Sequence, residues 1–303
     1  MTRSKIEWTD ETWNPVTGCT KISPGCKNCY AQRMAMRLRG RCGYPQKNPF
    51  SVTLHPDKLG DPLHWKKPRK VFVCSMGDLF HSSVPYEYIE KVFYVMIMAN
   101  NCIFQVLTKR AVEMLRFVEF FQDRANIDLS SVKNIWLGVS CENQDAANTR
   151  IPVLLNTPAA VRFISCEPLI GDIYLNEVEN SSKFGCNKAW IGSWPYPTLD
   201  WVIVGGESGQ YARPMHPHWA LSLRDQCQKY DVPFFFKQWG EWGIIGTNVD
   251  QQGKLIKRST PKFNFGEWFL DNGAIMGKIG KKHTSRLLDG QLWNEYPAEL
   301  QTA

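Results

Sequence analysis

The sequence predicts an α/β protein built as a partial or complete (β/α) TIM-like barrel with a C-terminal mixed appendage. Short apolar runs recur along the chain, each closing in small or polar residues. They are near-continuous in Val, Ile, Phe and Trp without clean alternation, the pattern of parallel strands covered on both faces. Stretches with apolar residues at every third or fourth position separate them. With 303 residues, 43% of them hydrophobic, the chain can bury a core of barrel size.

Taken in order, a first strand is expected just before Cys19. The cluster "TGCTKISPGCKNCYAQRM" (17–34) then leads into a helix-like stretch. Strands follow in "KVFVCSMGD" (70–78), "CIFQVLTKR" (102–110), "NIWLGVSCE" (134–142), "AVRFISCEP" (160–168), "DWVIVGGES" (200–208) and "VPFFFKQWG" (232–240). Helices are expected in "PYEYIEKVFYVMIMAN", "RAVEMLRFVEFF" and "HPHWALSLRDQCQKY". Six or more such units favour a barrel over the runner-up, a doubly wound open sheet. "GVSCEN" and "FISCEP" put Glu142 and Glu167 at equivalent strand ends, where barrel active sites gather. Residues 176–198 lack a period and read as a loop over the barrel mouth. The β/α rhythm stops after residue 240, so 1–240 is expected to form the barrel and 241–303 an appendage of short strands with turn signals such as "VDQQGK", "LDNGA" and "LLDGQ".

No charged-then-apolar leader opens the sequence and no apolar run is long enough to span a bilayer, so a cytoplasmic protein without membrane contact is expected. Ten cysteines in such a chain favour reduced thiols and metal chemistry over a disulfide framework. Cys74, Cys141, Cys166 and Cys227 sit in strand-like or helix-like contexts and read as small buried apolar residues. The net charge of +7, with 12 Trp and 10 Tyr, suits a surface that meets phosphates and stacks bases, or equally an ordinary soluble surface.

Cys19, Cys26 and Cys29 carry the clearest chemistry. Their Cys-x6-Cys-x2-Cys spacing, across a loop with Pro24 and Gly25, lets three thiolates converge on one metal centre. Two readings stay open. A structural zinc site needs a fourth ligand, which Cys42 can supply. A [4Fe-4S] cluster held by three cysteines leaves one iron open to a small amino-acid ligand.

Three clustered cysteines before a helix, followed by parallel β/α units, resemble the radical-SAM superfamily over roughly residues 10–240. The first gap is six residues where that motif has three, and the aromatic Tyr30 follows the last cysteine instead of preceding it. Over almost its whole length the chain more closely resembles a radical-SAM-like, three-cysteine family of phage and bacterial proteins of uncharacterised function. "TWNPVTGC", "SMGDLFH", "LTKR", "GVSCEN", "SCEPL", "GGESG", "ARPMHP", "FKQWGEW" and "GKKHTSRLLDGQLWNEYP" carry that resemblance.

The resemblance implies a [4Fe-4S] cluster on Cys19, Cys26 and Cys29, with S-adenosylmethionine as cofactor. Asp78, Lys109 and Glu207 are then the catalytic candidates. "SMGD" stands where the superfamily holds the methionine amino group, so Ser75, Gly77 and Asp78 are expected to bind the cofactor. Tyr30, Lys109, Ser140, Glu142, Ser165, Glu167, Gly205, Gly206 and Glu207, at the wall and successive strand ends, complete its site. Gly77, Gly205 and Gly206 are the residue type that lets a ligand approach the backbone. Arg110, Arg213, His216, Lys237, Gln238 and Trp239 are the substrate-binding candidates.

The expected activity is reductive cleavage of S-adenosylmethionine to a 5′-deoxyadenosyl radical, acting on nucleic acid or a nucleotide. Net charge, the aromatic residues of the tail and the family's phage members motivate that substrate. An electron donor such as flavodoxin or ferredoxin and a genomically adjacent partner protein are the expected partners. Two other classes compete: a zinc-stapled nucleic-acid-binding protein without redox chemistry, and a barrel hydrolase using Glu142, Glu167 and Glu207 as acid and base.

Overall fold

The computed structural model describes residues 4–178, 198–247, 267–269 and 274–298. Seven parallel strands form one sheet: β1 (Glu11–Trp13), β2 (Arg69–Val73), β3 (Cys102–Thr108), β4 (Ile135–Ser140), β5 (Val161–Cys166), β6 (Trp201–Gly205) and β7 (Phe234–Gln238). Their spatial order is their sequence order, and β1 and β7 are not paired to each other. Crossovers between parallel strands share one hand, so a sheet that only ever steps forward carries its helices on a single face and curls round the other. The architecture is therefore a partial barrel. A doubly wound sheet would reverse its strand order midway.

Each expected strand is present, but shorter than its apolar run. Ser75 to Asp78, Lys109 and Arg110, Glu142, Glu167 and Glu207 leave the sheet and lie at its C-terminal end. The helices are α1 (Tyr30–Arg37), α2 (Tyr86–Met98), α3 (Ala111–Ala125), α4 (Gln144–Leu155) and α5 (Pro217–Lys229). The sixth letter of "GVSCEN" has a local reason: Asn143 caps α4, its side chain accepting the Ala146 N–H at 3.0 Å.

The outer sheet face, with Val71, Val73, Phe104, Val106, Leu137, Val139, Val202 and Phe236, joins buried helix residues such as Val92, Phe93, Met114, Phe117 and Leu223 in one core. The inner face holds a second cluster with Trp8, Trp136, Phe163, Trp201 and Phe235. Trp201 is its centre, with ring centroids 5.9 Å from Trp136, 5.7 Å from Phe163 and 6.1 Å from Phe235. This aromatic plug fills the barrel interior. The same strands turn polar two to four residues further on, at Ser140, Ser165 and Lys237.

Cys74, Cys141, Cys166 and Cys227 are buried and free, as small apolar residues are. After β7 come β8 (Trp242–Thr247), β9 (Glu267–Phe269) and β10 (Ala274–Lys278) in an antiparallel sheet, then a hairpin of β11 (Leu287–Leu288) and β12 (Gln291–Leu292). The "LLDGQ" signal makes that hairpin, with Asp289 and Gly290 both at positive φ, as a type I′ turn requires. Residues 293–295 then run along β7: Phe236 N–H donates to the Trp293 carbonyl at 3.0 Å, and Glu295 N–H to the Phe234 carbonyl at 3.2 Å. This segment covers the edge of β7. The loop expected over the mouth falls mostly on 179–197, and the turns at 249–254 and 270–273, outside the described residues.

Candidate functional site

The loop that leaves β1 carries all three clustered cysteines across the C-terminal end of the sheet. Gly18 starts it, with φ +83°; a Cβ there would sit 2.1 Å from the Ser51 carbonyl oxygen, so only glycine fits. Gly18 forms a parallel bridge with Gly77, and its N–H donates to the Met76 carbonyl at 2.9 Å, clipping the loop to the exit of β2. A Cβ on Gly77 would meet the Gly18 and Val16 carbonyl oxygens at 3.0 Å, so this glycine serves the close approach of two protein segments. Pro24 opens a 3-10 turn, Pro24–Cys26, and Cys29 stands at the N-terminus of α1, whose Ala31 and Ala35 face inward.

Strand-end side chains hold this loop at three points. Asp78 accepts the Thr108 hydroxyl at 2.8 Å and the Phe80 N–H at 3.1 Å, and its other oxygen lies 3.7 Å from Arg110 Nε. Arg110 then donates to the Thr20 hydroxyl at 2.8 Å, next to Cys19. Glu142, whose side chain is fully buried, takes the Gly25 N–H at 3.3 Å, Lys109 at 3.3 Å and Arg150 at 2.8 Å. Glu207 is held bidentately by Arg213 at 2.8 and 2.9 Å and accepts Asn28 Nδ2 at 3.0 Å; Arg213 also donates to the Pro24 carbonyl at 3.1 Å.

A fourth group lies across the mouth. Lys237 Nζ is 3.0 Å from Glu167 Oε1, while Glu167 Oε2 accepts Trp8 Nε1 at 3.3 Å and the Ser165 hydroxyl at 3.2 Å. Tyr30, from the start of α1, donates its hydroxyl to the Ser75 carbonyl at 2.7 Å. Ser140 and Ser165 pair in register across β4 and β5, which puts Glu142 and Glu167 at equivalent strand ends.

These contacts fix the charge states. Burial would raise the Glu142 carboxyl, but Lys109, Ser23 and Arg150 overcome it and hold the pKa at about 2 against an ordinary 4.5. Glu207 is also lowered, burial being outweighed by its hydrogen bonds from Arg213 and Asn28. Burial pulls Lys237 down, and Glu167 and Glu7 more than restore it. The carboxylates at β4 and β6 are thus held ionised by cations. A general acid needs its pKa raised, so neither Glu142 nor Glu207 suits the acid's part in the hydrolase reading.

The thiols differ. Burial, with Asp78 adding, pushes Cys19 up to about 11. Cys26 is lowered: hydrogen bonds at Ile22 and Ser23 and the charge of Lys109 outweigh its burial. Cys19, Cys26 and Cys29 are all free and half-buried, and Cys42, past the end of α1, is exposed. Among the described residues, no three His, Cys, Asp or Glu side chains are grouped to hold a metal ion. The fit with a metal centre, zinc or cluster, therefore rests on the donor set: three unbridged thiols on one loop, at the mouth. A metal centre deprotonates a coordinating thiol outright, offsetting the raised pKa of Cys19.

Not every candidate faces the mouth. Trp239 is buried and donates its indole N–H to the Leu287 carbonyl at 2.9 Å, fastening the tail. Gln238 is buried, donating to Ser208 Oγ at 3.1 Å and accepting the Gly240 N–H at 2.8 Å. His216 caps α5 by accepting the His218 N–H at 3.0 Å. All three have structural partners. Gly205 and Gly206 serve packing: a Cβ would meet Glu167 Oε1 at 2.6 Å and the Trp239 carbonyl oxygen at 1.9 Å respectively. Asn28, Thr20 and Arg150 were not legible as site residues. Arg150 sits inside an ordinary helical pattern, and Asn28 and Thr20 read as spacers between cysteines.

A family profile described as "Protein of unknown function (DUF5131)" matches residues 3–297. No curated protein matches the sequence. Among solved structures, a spore photoproduct lyase variant with one cysteine replaced by serine is similar at a TM-score of 0.41 and 10% identity, over 93% of this chain and 71% of that one. A likeness of that degree identifies neither fold nor activity.

Proposed function

We propose a chemistry for a chain that belongs to the DUF5131 family: it is a radical S-adenosylmethionine enzyme acting on nucleic acid or a nucleotide. The observation that supports this reading best is the cysteine loop itself. It places three free thiols at the C-terminal end of a parallel partial barrel and is anchored there by the side chains that close β3, β4 and β6.

In this reading Cys19, Cys26 and Cys29 hold a [4Fe-4S] cluster, which when bound supplies the electron that cleaves S-adenosylmethionine to methionine and a 5′-deoxyadenosyl radical. Ser75, Ser140, Ser165 and Tyr30 offer hydroxyl or backbone partners to the cofactor. Lys109 and Arg110 sit where a carboxylate or phosphate is met, and Asp78 and Glu142 orient them. Lys237 and Arg213 face substrate from the far side of the mouth. The aromatic plug beneath excludes water from below. The electron donor is of flavodoxin or ferredoxin type, and an adjacently encoded protein is a candidate partner.

Metal analysis of anaerobically purified protein tests the reading. Iron and sulfide near four per chain in the wild type, and their loss in Cys26→Ala, are expected. Stoichiometric zinc without iron would return the assignment to the binding-protein class.

A further inference from the structure

One long stretch of the chain carries basic residues and no acidic ones. Between residues 12 and 56 there is no Asp or Glu and there are seven basic residues: Lys21 and Lys27 on the cysteine loop, Arg33, Arg37, Arg39 and Arg41 on α1 and just past it, and Lys47. The other 29 basic residues equal the chain's 29 acidic ones in number.

Among the described residues these seven charges meet no acidic side chain. Six of the residues are exposed and Arg33 is half-buried. Among the described residues none of them is ion-paired; their hydrogen bonds run to neutral groups, such as Arg33 to the Ser208 carbonyl at 2.8 Å and Arg41 to the Arg37 carbonyl at 2.6 Å. A helix C-terminus favours one cation in its last turn, which accounts for Arg37 and not for the rest. Such a field is maintained against its own repulsion, and a polyanion relieves it.

We infer that the loop and α1 form a ridge that binds the phosphodiester backbone of a nucleic-acid strand and leads it to the mouth. Four of the seven are arginines, whose planar fork matches phosphate oxygens better than a lysine ammonium does. Tyr30 and Tyr211 stand exposed where the ridge meets the strand ends, Tyr211 fixed by its carbonyl to Asn28 at 2.6 Å. Exposed rings beside a basic track are the pairing by which single strands are held, bases stacked and phosphates neutralised. The exposed apolar residues of α1, Met34 and Met36, are too few for a membrane-inserting face. This deepens the proposed function by naming the substrate class and its docking surface, and it rests on that reading only for what happens after binding.

The test uses the full, anaerobically reconstituted chain and a labelled mixed-sequence 20-nucleotide strand, as DNA and as RNA, over a salt series. The triple variant Arg37→Gln, Arg39→Gln, Arg41→Gln removes three ridge charges. Lys66→Gln, Lys67→Gln, Lys133→Gln removes three exposed charges at the opposite end of the sheet. Wild type should bind at least one strand at low salt. The ridge variant should lower the magnitude of the log K against log salt slope by about 2, and the control should leave it unchanged. No strand binding, or equal losses in both variants, overturns the inference. So does α1-dependent binding only to phosphatidylserine vesicles or only to an acidic redox protein. Production of 5′-deoxyadenosine, assayed on the same preparation, separates the two claims: cleavage without binding sinks only the ridge, and binding without cleavage sinks only the radical chemistry.

Discussion

Glu142 Oε1 accepts the backbone N–H of Gly25 at 3.3 Å, joining the end of β4 to the middle of the cysteine loop across 117 residues of sequence. A Cβ on Gly25 would sit 3.0 Å from Glu142 Cδ, so a side chain there would push against the acceptor. The same carboxylate neutralises Lys109 and Arg150. One buried acid therefore sets both the loop's position and the charge beside Cys26.

Replacing Glu142 by Gln keeps the shape and strands two buried or half-buried cations. Unfolding free energy should fall by about 3 kcal/mol, read from the urea midpoint at neutral pH. A change below about 0.5 kcal/mol would mean that the pairs are electrostatically idle.

The same carboxylate predicts an acid limb. Its folded pKa is about 2 against 4.5, so its contribution is fully present above pH 4.5 and is lost as pH falls through 2. The shift corresponds to about 3 kcal/mol. Stability measured from pH 6 to pH 2 should decline in the wild type and more shallowly in Glu142→Gln; parallel curves would contradict the assignment.

Gly206→Ala should be severely destabilising, by about 3 kcal/mol or by failure to fold, because the new methyl lands on the Trp239 carbonyl oxygen, on rigid backbone. Gly246→Ala, in β8 with nothing within 4 Å, should change the thermal midpoint by only a degree or two. Equal tolerance at both positions would show that the approach of the β6 and β7 ends is loose.

Arg213→Lys retains charge but cannot grip Glu207 bidentately, as Arg213 does at 2.8 and 2.9 Å. A loss of about 1–2 kcal/mol is expected, with faster reaction of the loop cysteines toward a thiol reagent in metal-free protein. Unchanged thiol rates would remove Arg213 from the loop's anchorage.

The strands were legible because parallel strands buried on two faces must be apolar at every position, and six of them stood out as runs. Their ends were less sharp because a run such as "NIWLGVSCE" continues through Cys141 and Glu142 with no turn signal although the strand ends at Ser140. Candidate site residues stood out where a residue type is chemically unusual, as with three cysteines and repeated Ser-Cys-Glu, and the structure brings these to one end of the sheet. Partners that are ordinary in kind were not legible: Arg150 looks like any helix arginine, and its pairing with Glu142 exists only in three dimensions. Glycines carry a second reason that the sequence did not show. Gly77, Gly205 and Gly206 read as room for a ligand, yet each is filled by the protein's own backbone or by Glu167.

The most direct measurement is 5′-deoxyadenosine formed from S-adenosylmethionine by anaerobically reconstituted protein under a strong reductant, compared with Cys19→Ala, Cys26→Ala and Cys29→Ala. The account predicts reductant-dependent 5′-deoxyadenosine from the wild type and from Cys42→Ala, and none from the three loop variants. No product from an iron-loaded wild type, or equal product from any of the three, would contradict it.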